Sequence, residues 1–121
     1  MREELVIKAG SDVVYGIPAD YPQALVDAIT EYLKIQQRVK AAWLVRFGKR
    51  ENSSGDYQFS NLLIVDCSGG VKAIFDGIGG VVSAQLDEDE YLDIMPREKG
   101  LSKEISKEFP PFYRRKKFGL F

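Results

Sequence analysis

The chain has 121 residues, 45% hydrophobic and 29% charged, a balance that fits one folded domain with a real core and excludes disordered and fibrous classes. Its 17 basic and 18 acidic residues leave a net charge of -1, so no overall field draws it to nucleic acid or to an anionic membrane. The absence of histidine removes the commonest general base, the usual Ser-His and Cys-His pairs and most zinc and iron sites.

The start, Met1-Arg2-Glu3-Glu4, has neither the apolar stretch of a secretory signal nor the acid-poor character of a transit peptide. Leu5 to Ile7 and Val13 to Ile17 are β-prone runs around Gly10-Ser11-Asp12, so two short strands and a turn are expected. Asp20 stands three residues before Gln23, with Pro22 between, an acidic variant of the capping box that starts a helix. Leu25, Ala28, Ile29, Tyr32 and Leu33 then repeat on one helical face to about Gln37, a stripe that should lie on a sheet.

From Val39 to Phe47 the pattern alternates. Val39, Ala41, Trp43, Val45 and Phe47 fall on one face of a strand, and Lys40, Leu44 and Arg46 on the other. Asn52-Ser53-Ser54-Gly55 is a polar loop, and Tyr57 to Asp66 reads as the partner strand of a hairpin. The longest apolar runs, Ala41 to Val45 and Leu62 to Val65, are far shorter than the roughly 20 residues of a membrane-spanning helix.

Ser68-Gly69-Gly70 breaks the chain before Val71, Ile74, Phe75 and Ile78 resume helical spacing. Gly77, Gly79 and Gly80 each cost a helix interior up to about 1 kcal/mol, so this helix is expected to stop early. Tyr91 to Met95 is a short strand, and Leu101 and Ile105 mark a last helical turn or two before Pro110 and Pro111. The order strand, helix, strand, strand, helix, strand is that of the ferredoxin-like βαββαβ fold. We therefore expect an α+β domain over residues 1–121, its sheet antiparallel or mixed, with two main helices on one face and the C-terminal tail packed on the body.

The candidate chemistry is sparse. Cys67 is the only cysteine, which agrees with a reducing compartment and a cytoplasmic location. It ends an apolar strand beside Asp66, and an adjacent carboxylate raises a thiol's pKa instead of activating it. Neither Asp66-Cys67-Ser68-Gly69-Gly70 nor Gly77-Ile78-Gly79-Gly80 has the spacing of a phosphate-binding loop, and Asp87-Glu88-Asp89-Glu90 lacks the spacing of a calcium loop. Trp43 and Phe59 are assigned to the core over a base-stacking platform. No catalytic residue, metal or cofactor is implied.

The ending is the most distinctive stretch. Pro110 and Pro111 stiffen the backbone, Phe112 and Tyr113 should anchor against the sheet, and Arg114, Arg115, Lys116 and Lys117 should stand outward. Four adjacent cations call for an acidic answer, from a partner surface, from a phosphate-bearing ligand, or from Asp87 to Glu90 in the same chain or a second copy. Pro111-Phe112-Tyr113-Arg114-Arg115, with Gly16-Ile17-Pro18, the Pro22 to Leu33 helix, Val39-Lys40-Ala41-Ala42-Trp43-Leu44 and Leu62-Leu63-Ile64-Val65-Asp66, resembles the C-terminal domain of the SseB family of bacterial proteins. The resemblance implies a compact α+β domain, usually appended to another domain, an association with serine sensitivity and no settled activity; this chain is expected to lack the preceding domain and to carry Lys116 to Phe121 beyond the motif.

The expected function is a non-catalytic interaction or regulatory module, with Pro111 to Lys117 as its surface and another protein as its partner, a homodimer being a further option. A thiol or sulfur-transfer enzyme using Cys67 is the alternative. Nucleic-acid binding through the basic tail ranks last.

Overall fold

The computed structural model describes residues 4–7, 13–50, 55–87, 92–98 and 100–115. Its strands are β1 (Glu4–Ile7), β2 (Val13–Ile17), β3 (Val39–Lys49), β4 (Gln58–Cys67), β5 (Leu92–Pro96) and β6 (Tyr113–Arg114), and its helices are α1 (Gln23–Lys34), α2 (Val71–Gln85) and α3 (Leu101–Glu108). The turn expected at Gly10-Ser11-Asp12 and most of the Asn52 to Gly55 loop lie outside the described residues.

The fold is α+β around one mixed six-stranded sheet running β1-β2-β3-β4-β5 in sequence order, with β6 added beside β3. Among the described residues only β4 and β5 pair in parallel; the other pairings are antiparallel. This corrects the ferredoxin-like expectation. In a split βαβ unit a third strand separates the two strands that a helix joins. Here β2 and β3, joined by α1, are direct neighbours, as are β4 and β5, joined by α2. Element order alone does not choose between these arrangements.

Apolar alternation in β3 and β4 builds a core on each face of the sheet. Leu25, Val26, Ile29 and Leu33 of α1 and Ile74 and Ile78 of α2 pack with Val39, Ala42, Leu44, Leu63 and Val65. On the opposite face Ile105 of α3 packs with Tyr15, Ala41, Trp43, Val45, Leu62 and Ile64. Burying each large aliphatic or aromatic side chain is worth about 1.5–3 kcal/mol.

Val39 and Ala41, expected on one face, lie on opposite ones. A β-bulge between them shifts the pairing, with Val39 opposite Cys67 and Ala41 opposite Asp66. The extra residue, Lys40, reverses the side-chain parity. The capping box expected at Asp20 and Gln23 does not form: Pro22 precedes the first turn of α1 without a side-chain cap among the described residues. Gln23 Nε2 instead donates to Asp27 Oδ1 at 2.8 Å, a partner four residues along the same helix face.

α2 runs on through all three of its glycines, contrary to the early stop expected. Packing supplies the reason at Gly77, where an added Cβ would collide with the Tyr32 hydroxyl and ring. The missing side chain lets α1 approach α2, and Tyr32 Oη reaches the Ile74 carbonyl at 3.4 Å.

Candidate interaction surface

The C-terminal segment is built onto the sheet from α3 outward. α3 ends at Glu108, and Phe109 turns extended, with φ -127° and ψ 145°, as the two prolines that follow require. Phe109 packs in the α3-side core, its ring edge-on to Tyr15 with centroids 6.0 Å apart. Tyr15 Oη donates to Glu108 Oε1 at 3.0 Å, and the Trp43 indole Nε1 donates to the Phe109 carbonyl at 2.9 Å.

Beyond the prolines the chain passes to the other core. β2 pairs only with the Arg46 to Lys49 end of β3, which leaves the remainder of that edge open. β6 fills it, with Tyr113 opposite Ala42 and Arg114 opposite Ala41. The Phe112 amide donates to the Ala42 carbonyl at 2.9 Å and the Arg115 amide to the Lys40 carbonyl at 2.8 Å. Phe112 and Tyr113 pack, half-buried, on the α1/α2-side core. One strap of seven residues, Phe109 to Arg115, therefore touches both cores.

The cations part company here. Arg114 is exposed, and its pairing with Ala41 puts it on the α3 face of the sheet. Arg115 turns inward, a correction to the picture of outward-standing charges. Its Nε donates to the Val39 carbonyl at 2.9 Å, and its Nη2 to the carbonyls of Leu33 at 3.1 Å, Lys34 at 3.2 Å and Gln36 at 2.6 Å. These oxygens lie at the C-terminus of α1 and in the turn into β3, where a planar cation with a fork of donors is favoured; the Leu33 and Gln36 carbonyls also accept the Gln36 and Val39 amides. Successive carbonyls of a regular strand point to opposite edges; the bulge at Lys40 lets Val39 and Lys40 both offer theirs to Arg115. Beside this cap, a hydrogen bond from Lys34 Nζ to Glu31 at 2.7 Å holds the Lys34 ammonium above the usual lysine range.

Lys116 and Lys117 lie outside the described residues, as do Glu88, Asp89 and Glu90 of the acidic run.

Phe59, assigned to the core with Trp43, is 37% exposed, while Trp43 is 5% exposed. The α1/α2-side core reaches no further along the hairpin than Leu44 and Leu63, so the ring of Phe59 lies across Gly48 with the Arg46 guanidinium 5.6 Å above it. Cys67 is half-buried. Burial pushes its thiol pKa up, the Gly69 backbone lowers it by less, and Asp66 adds the smallest contribution, upward.

The family model for the SseB protein C-terminal domain matches residues 7–115, ending at the residue that caps α1. The chain belongs to the SseB family. It is similar to the curated Protein SseB of Escherichia coli (strain K12) and to that of Shigella flexneri, each 28% identical over 120 residues. The alignment covers 96% of this chain but 45% of each SseB relative, so the chain spans about half the length of those proteins. No solved structure matches it. Within the SseB match fall the strap, Trp43 and the α1 C-terminus; no helix of the described residues is long and apolar enough to cross a membrane. Sequence reasoning found the strap through its rings and prolines but missed Trp43 as its anchor, because a tryptophan on an alternating strand carries no sign of what its N–H meets.

Proposed function

We propose that residues 1–121 act as one non-catalytic docking module in the cytoplasm, in a role linked to serine sensitivity as the SseB resemblance implies, with another protein as partner. The contact surface runs from Pro111 through Lys117, centred on Arg114 and Tyr113. One observation carries the reading: the strap is seated in both cores and bonded to β3, yet leaves the Arg114 side chain exposed. With the strap closed, a cation held at a fixed place on the sheet edge costs little further ordering on binding and suits an acidic protein surface. The thiol alternative is weakened by the raised pKa of Cys67, since the thiolate is the reactive form.

Affinity capture from cell extract with the full chain and with Arg114→Glu tests this. Arg114 is exposed, so the variant should melt with the parent while losing the captured protein. Equal capture by both chains would refute the surface.

A further inference from the structure

We infer that residues 112–115 form a latch that opens and closes as a unit on the folded domain, hinged at Pro110–Pro111 and held shut chiefly by the Arg115 side chain. A strand of two residues, β6, has too few ladder bonds to persist by itself. Its backbone is reinforced by the Phe112 and Arg115 amides, but one guanidinium reaches four further carbonyls, three of them sharing the two N–H groups of Nη2. Bonds from a charged donor are about twice as strong as neutral ones. The segment's attachment is thus concentrated at its far end, as in a clasp.

The near end stays fixed. Phe109 is held by the Trp43 indole, by the Tyr15 ring and by the α3-side core, and the two prolines beyond it donate no backbone hydrogen bond. They separate the seated Phe109 from the moving part. Opening would free the Lys40 and Ala42 carbonyls on the edge of β3 and withdraw the guanidinium from the Leu33, Lys34 and Gln36 carbonyls. Such sub-global opening is expected where two half-buried rings, Phe112 and Tyr113, and a few concentrated bonds hold a short segment. The latch works in the isolated chain, whether or not Arg114 engages a partner.

Native-state hydrogen exchange on the full-length chain, at rising low urea, reads this directly. The Phe112 and Arg115 amides should exchange by an opening nearly independent of urea, while the Leu63 and Ile64 amides of central β4 follow global unfolding. Arg115→Ala should speed exchange at Phe112 and residue 115 on the order of a hundredfold, and Arg115→Lys should fall between, having charge without the fork. The emission of Trp43 should be unchanged in both variants, since its partner Phe109 does not move. The latch is overturned if the wild-type Phe112 and Arg115 amides open only with β4, if Arg115→Ala leaves their exchange unaltered, or if Trp43 emission shifts with the latch.

Discussion

The indole N–H of Trp43 donates to the carbonyl of Phe109 at 2.9 Å, across 66 positions of sequence. It joins the middle of the sheet's central hairpin to the first residue after α3, so the place where the C-terminal segment leaves the body is fixed by a core side chain. Trp43 belongs to the α3-side core and Phe109 packs, half-buried, against it, so losing the donor would leave a partly shielded carbonyl to seek another partner.

Trp43→Phe keeps an aromatic ring in that core but removes the donor. The expected loss is about 1–2 kcal/mol, the cost of removing a hydrogen bond to a partly buried acceptor. Urea unfolding followed by circular dichroism measures it, because the substitution also removes the protein's one tryptophan. A loss below about 0.5 kcal/mol would mean that the Phe109 carbonyl finds another donor at little cost.

The three glycines of α2 should respond with opposite signs. At Gly77 an added Cβ meets the Tyr32 ring and hydroxyl, whereas at Gly79 and Gly80 nothing lies within 4 Å. Gly79→Ala and Gly80→Ala should each stabilise by about 0.4–1 kcal/mol through helix propensity and a less flexible unfolded chain. Gly77→Ala should destabilise by about 1–3 kcal/mol, since Tyr32 must leave its seat. Thermal melts of the three single variants decide it, and equal shifts at all three positions would contradict the packing of α1 on α2.

Residue patterns locate the central hairpin well: β3 and β4 begin within one residue of where alternation and turn residues put them, whereas α1 starts without the Asp20 cap and ends at Lys34, short of Gln37. What they did not carry was parity, order and direction. One bulged residue, Lys40, reverses the side of Val39, and nothing in Val-Lys-Ala-Ala marks it. The sheet order depends on which strands meet in space, so the expected βαββαβ order was compatible with a sheet it does not form. Arg114 and Arg115 are the same residue type in adjacent positions, and only the backbone path, which brings the α1 carbonyls beside position 115, separates an exposed charge from a helix cap. The glycines misled for a related reason, since propensity treats them alike while packing needs one of them.

Cys67 should behave as a protected thiol. Burial first, and Asp66 after it, raise its pKa above the ordinary thiol value, so less thiolate is present at pH 7 than in free cysteine and alkylation should be slower. Asp66→Asn removes the neighbouring negative charge and should speed alkylation without reaching the free rate, because the larger cause, burial, remains. Linkage fixes the sign of the effect on stability. The folded state holds the thiol proton more tightly than the unfolded chain, so this group's contribution is present below the unfolded thiol pKa and is lost as pH rises through the folded one. Urea midpoints measured from pH 7 upward should therefore fall more gently in Cys67→Ser than in the parent. A Cys67 that alkylates faster than free cysteine at pH 7 would overturn the assignment and return the thiol-enzyme reading to first place.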